Sequence, residues 1–197
     1  MKYLLAATAA FSLATAAGGA FASTTIDFNA LSGTFTSYSQ AGATFTSVGG
    51  GQFVSTLDPN GTNGLLETSS PRHLLRADIA GGTNFVSVDL GDFDSDPDLL
   101  TLQAFDAANN SLGLTTLLID ASFTGMKTLS LSVAGIDHAI FGSMDPSING
   151  SSVYIDNFTF AGHGVPEPAV WTMMIAGFAL AGLGLRGRRR APGAVAA

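Results

Sequence analysis

Two runs in the middle of this chain alternate apolar and polar side chains at every step. Residues 84–90 set Val86, Val88 and Leu90 against Phe85, Ser87 and Asp89, and residues 99–105 set Leu100, Leu102 and Ala104 against Thr101, Gln103 and Phe105. Successive side chains of an extended chain point to opposite faces, so strict alternation builds half-buried strands and conflicts with the 3.6-residue period of a helix. Similar texture marks residues 24–29, 33–38, 43–48, 52–56, 73–79, 114–119, 127–133, 138–141 and 152–160. Glycine, asparagine, aspartate and proline divide these runs, notably at 58–64, 69–71 and Gly81-Gly82. The near repeat of Gly33-Thr-Phe-Thr-Ser-Tyr38 in Ala43-Thr-Phe-Thr-Ser-Val48 predicts a hairpin with one apolar face. About ten short strands without an amphipathic helix predict an all-β, antiparallel β-sandwich of jelly-roll type, with a closed barrel as the alternative.

Charge narrows the partners. Between Asp27 and Asp156 stand 14 acids against three strong bases, Arg72, Arg76 and Lys127. Such a surface repels nucleic-acid phosphates, so DNA and RNA are excluded as partners, whereas divalent cations are attracted. There is no cysteine, which removes disulfides, thiolate metal sites and a cysteine nucleophile.

The two ends differ from the middle. Lys2, an apolar stretch over residues 3–17 and the small-residue site Ala20-Phe21-Ala22 predict a signal peptide over residues 1–22, exported by Sec machinery and cut by signal peptidase. At the other end, Pro166 and Pro168 fix φ on both sides of Glu167 and keep that segment extended. Residues 169–185 then run uncharged, which at 1.5 Å per residue gives roughly 25 Å, enough to span a bilayer as a single helix. Trp171 would sit at the headgroup edge, and Arg186, Arg188, Arg189 and Arg190 would hold the far end in the cytoplasm. The expected organisation is a signal peptide at 1–22, an ectodomain at 23–161, a linker at 162–164, a sorting and anchor segment at 165–190 and a short cytoplasmic tail at 191–197.

The order Pro166-Glu167-Pro168, Trp171, a short apolar span and an arginine cluster resembles the PEP-CTERM sorting signal of exported proteins in Gram-negative bacteria. That resemblance implies recognition by an exosortase, a membrane transpeptidase-like protease. Pro166, Glu167 and Pro168 would be the recognition element, residues 171–185 a temporary inner-membrane anchor, and Arg186 to Arg190 the membrane stop. The tail of seven small residues after Arg190 departs from the family, whose members end soon after the arginines. The runs at 86–92, 102–112 and 154–160 loosely resemble the galactose-binding-like sandwiches found in such proteins.

Within the middle, Asp92, Asp94, Asp96 and Asp98 alternate as calcium-loop ligands do. An EF-hand is excluded, because Pro97 stands where the loop needs glycine and Gln103 where it needs glutamate. Two readings remain: a looser structural calcium site, using these residues or Asp27 and Asp156, and a solvated acidic turn, which is the expectation. His73, His138 and His163 are isolated and are read as surface or turn residues. No catalytic signature is present, so no catalytic residue is assigned and the chain is read as non-enzymatic. For sugar binding, Trp171 belongs to the anchor, which leaves Tyr38, Tyr154 and phenylalanines that alternation mostly places in the core. The function expected is that of an exported, exosortase-processed surface or matrix protein, structural or adhesive and linked to extracellular polysaccharide. A carbohydrate-binding module and a secreted hydrolase are the alternatives.

Overall fold

The computed structural model describes residues 22–69, 74–93, 96–144 and 153–161, with residues 174, 175, 177 and 178 beyond them. The chain divides into two compact units, Phe21–His163 and a second made of Met1–Ala20 and Gly164–Ala197. In the second unit the four described residues are helical. Among the described residues no helix is long and apolar enough to cross a membrane. The expected signal peptide and C-terminal anchor, including Pro166, Glu167, Pro168, Trp171 and all four arginines, otherwise lie outside the described residues.

The first unit is built from strands β1 (Ser23–Ile26), β2 (Gly33–Phe35), β3 (Ser37–Gln40), β4 (Ala43–Ser47), β5 (Phe53–Leu57), β6 (Asn63–Glu67), β7 (Leu75–Phe93), β8 (Asp98–Phe105), β9 (Ser111–Ile119), β10 (Thr124–Ser143) and β11 (Tyr154–Ala161). Every pairing is antiparallel. Two long strands carry the architecture. The first part of β7 pairs β4 on one side and the end of β10 on the other, and β10 continues to β8 and β9. The second part of β7 pairs the start of β10 and β11, and β11 continues to β1 and to β6, β5 and β2.

Both long strands change layer where glycine permits a bend. Gly81, Gly82 and Gly135 have φ of 80°, 74° and 84°, a region that L side chains avoid, and the β7–β10 register shifts on both sides of Ile136. The bend folds the sheet onto itself as a sandwich. Its core is aromatic: Phe158 of β11 meets Phe45 of β4 edge-on at 5.3 Å and Phe141 of β10 at 5.4 Å, so rings from opposite layers touch. Buried rings of this kind contribute roughly 1.5–3 kcal/mol each.

Several boundaries differ from the sequence expectation. Val86, Val88, Leu90, Leu100, Leu102 and Ala104 are all buried, as alternation predicts. The predicted hairpin is only half formed. Residues 37–40 pair 43–46 across an Ala41-Gly42 turn with φ of 51° and 91°, but β2 leaves at Thr36 to pair β5 in the other layer. Residues 63 and 64, assigned to a loop, begin strand β6, whose Leu65 is buried. Phe28 reaches the core after β1 has ended, with φ of 52°. Gly81-Gly82 and the stretch before His138 bend strands rather than end them.

Candidate functional site

The acidic turn between β7 and β8 is not the solvated turn expected. Asp92 and Asp98 are buried at 3% and 0% exposure, and Asp96 is half-exposed. One carboxylate oxygen from each of Asp92, Asp96 and Asp98 falls within a sphere where all lie within 4.8 Å of one another. Asp94 lies outside the described residues. The reason for the difference is topological: Asp98 opens β8 opposite Ile119 of β9, so its alternation places it inward with Leu100 and Leu102. Oxygen donors at this spacing match what a hard divalent cation takes.

A second acidic group was only partly visible in sequence. The 58–62 loop is closed by Asp58, whose backbone amide donates to the Thr62 carbonyl at 2.8 Å and whose Oδ1 accepts the amides of Asn60 and Thr62 at 2.9 and 3.0 Å. That geometry is what an aspartate ahead of Pro-Asn-Gly does locally. Its outcome is non-local, because the Thr62 hydroxyl also reaches Asp156 Oδ2 on β11 at 3.2 Å. Asp58 and Asp156 are 1% and 2% exposed. Burial pushes the Asp156 carboxyl up to about 6, with the Asp58 and Asp89 carboxylates adding to the rise and the Asn157 amide and Thr62 hydroxyl opposing it. Asp27, the other aspartate considered with Asp156, accepts the Asn29 amide at 3.3 Å in an exposed turn.

His138 is a correction. It was read as a surface or turn residue, yet β10 buries it to 2% exposure with its ring stacked at 5.0 Å on Phe105 of β8. Pairing between β8 and β10 sets His138 opposite Phe105, a neighbour that sequence separation hides. Asp78, Asp137 and His138 also bring ligand atoms within 4.8 Å of one another, but Asp78 holds Arg76 at 2.5 Å and Asp137 lies 3.3 Å from His138 Nδ1. The Arg76–Asp78 ion pair and the Asp137–His138 contact account for that group. His73 and His163 lie outside the described residues.

The aromatic residues divide similarly. Tyr38 packs among Phe28, Phe35 and Phe45 within 6.3 Å, half-buried against the core. Tyr154 meets Phe93 edge-on at 4.9 Å, and Phe93 is 47% exposed beside the acidic turn. Phe93 thus leaves part of an aromatic ring open to solvent, and it is the face of such a ring that a sugar stacks on.

No curated protein matches this chain. Solved structures of similar shape include an arabinose-bound α-L-arabinofuranosidase, MgGH51, at 16% identity and a TM-score of 0.46, covering 72% of this chain and 26% of that one. Another is the K1 cleaved adhesin domain of Lys-gingipain from Porphyromonas gingivalis W83, at 10% identity and a TM-score of 0.49, covering 73% of this chain and 99% of that one. A third is a family 29 carbohydrate-binding module from Piromyces equi, at 8% identity and a TM-score of 0.47, covering 75% and 95%. The chain thus spans about a quarter of the arabinofuranosidase. Residues 164–190 match a family model, and over that segment the chain carries the PEP-CTERM protein-sorting motif.

Proposed function

We propose that this chain is an exported β-sandwich of jelly-roll type whose C-terminal segment is a disposable sorting tag. A signal peptide over residues 1–22 sends the domain through the Sec machinery and is removed by signal peptidase. A single helix over residues 169–185 then holds the chain in the inner membrane while an exosortase recognises Pro166, Glu167 and Pro168, with Trp171 at the headgroup edge and Arg186, Arg188, Arg189 and Arg190 inside. The observation that carries this reading is the sorting motif at 164–190. After processing, the domain serves at the cell surface or in the extracellular matrix, in a structural or adhesive role linked to extracellular polysaccharide. Support for that role comes from β9, a nine-residue strand at one end of the sheet path, uncharged throughout and exposing Leu114, Leu117 and Leu118. An uncharged edge of that length is a ready template for association.

A structural calcium ion at Asp92, Asp94, Asp96 and Asp98 belongs to the same reading, supported by the convergence of three of these carboxylates. Expression in hosts with and without an exosortase tests the sorting step: the mature mass should fall only where the exosortase is present, and equal masses in both would sink it. The second reading, a carbohydrate-binding module, is favoured by the exposed Phe93 beside Tyr154. Glycan-array binding that disappears in Phe93→Ala would support it, and an array without hits would leave the structural role standing.

A further inference from the structure

We propose that Asp58, Thr62 and Asp156 form a site for one divalent cation of the calcium type, which ties the 58–62 loop to strand β11. The site uses none of the residues of the acidic turn. Its first support is a shortage of protons. The Thr62 hydroxyl lies 3.2 and 3.1 Å from Asp58 Oδ1 and Oδ2 and 3.2 Å from Asp156 Oδ2, yet a hydroxyl has a single hydrogen to donate. Asp58 Oδ1 also accepts the Asn60 and Thr62 amides, which leaves Asp58 Oδ2 and Asp156 Oδ2 to share that one hydrogen. The second support is independent of that cluster's own bonding: Asp156 Oδ1 is buried and has no hydrogen-bond partner. A buried carboxylate oxygen without a partner is costly, and a cation ligand removes that cost.

Other charges nearby are already engaged. Asp89, the register partner of Asp156, accepts Asn157 Nδ2 at 2.9 Å and the Thr128 hydroxyl at 2.5 Å. Among the described residues Arg76 pairs with Asp78 and the His138 ring meets Asp137, and neither contact reaches this site. The backbone is shaped to bring the groups together. Asn157 has φ of 49° where the β11–β7 register shifts, a bulge that buries Ile155, Asp156 and Phe158 within four residues. Gly64 lets β6 approach β11 closely, since a Cβ there would stand 2.7 Å from the Ile155 carbonyl oxygen and 3.4 Å from Asp58 Cβ. The donors are all oxygen, two carboxylates and a hydroxyl, which selects a hard cation over zinc or copper.

Calcium chloride titrated into the full-length chain in detergent at pH 7.5, read by isothermal titration calorimetry, tests the assignment. Wild type should bind one equivalent more than Asp156→Asn, while Asp92→Asn should keep that equivalent. Thr62→Val, which removes the hydroxyl at nearly constant volume, should weaken the same equivalent at least tenfold and serves if Asp156→Asn does not fold. Equal stoichiometry and affinity in wild type, Asp156→Asn and Thr62→Val would overturn the site. So would an absence of calcium binding by wild type, which would mean that the two carboxylates share a proton instead.

Discussion

Two loops of this domain are built on one plan. In the 58–62 loop the aspartate amide donates to the carbonyl four residues on, and its side chain accepts the amides two and four residues on. The 106–110 loop does the same, with Asp106 accepting the amides of Ala108 and Asn110 at 2.9 and 2.8 Å and donating its own amide to the Asn110 carbonyl at 3.0 Å. Their surroundings differ. Asp106 faces water, and its hydrogen bonds with Asn110 hold its carboxyl below the usual range. Asp58 is buried against Thr62 and across from Asp156, whose carboxyl rises to about 6. The same local turn is thus a connector in one place and half of a buried acid pair in the other, and the difference lies in what the sheet brings to it.

The largest expected effect comes from pushing β6 away from β11. Gly64→Ala sets a methyl group 2.7 Å from a backbone carbonyl and should destabilise the domain by ~3 kcal/mol in urea unfolding, with the Asp58–Asp156 approach lost. Gly113→Ala, just after the 106–110 loop, meets only a leucine methyl at 3.4 Å and should change stability by less than about 0.5 kcal/mol. Equal costs at the two glycines would erase the contrast between the loops.

Titration gives the next effect. In chelator, the raised carboxyl of Asp156 means that the native state binds more protons than the unfolded chain between pH 6 and the ordinary 3.8. Stability should therefore rise as pH falls through 6, by ~2 kcal/mol by pH 4. Asp89 and Asp58 are the carboxylates facing it, and Asp156→Asn should flatten the rise. Asp106, with its carboxyl lowered, stabilises above 3.8 and loses that contribution as pH falls further, so Asp106→Asn should lower stability near neutral pH and flatten the curve only in its acid limb. Chemical denaturation across pH 3 to 8 reads both. A smaller effect concerns backbone strain. Gly61 has φ of 82°, so Gly61→Ala should cost ~1 kcal/mol, whereas Asn109, at 63°, is a residue that tolerates this region, and Asn109→Gly should stay within about 0.5 kcal/mol of wild type.

What could be read in the sequence was local. Alternation in 84–90 and 99–105 named the inward residues because period and burial agree along a strand. Strand β6 was missed because Asn63-Gly64 carries turn chemistry, and its place in the sheet is set by β5 and β11 instead. The acidic turn was seen as a cluster, but the burial of Asp92 and Asp98 depends on which strands flank it. Asp58 and Asp156 are brought together only through β6 and β11, whose pairing no short window contains. The sorting motif is the opposite case: it is a linear order of residue types, which a sequence displays in full.

That linear segment also carries the central claim, that the C-terminal residues are an address removed after delivery. The most direct measurement is intact mass spectrometry of the protein recovered from outside an exosortase-bearing host. A mature chain that begins after Ala22 and lacks Arg186, Arg188, Arg189 and Arg190, with Pro166-Glu167-Pro168 replaced by alanines blocking that loss, is the expected result. A secreted chain that still extends to Ala197 would contradict it and make the segment a permanent anchor.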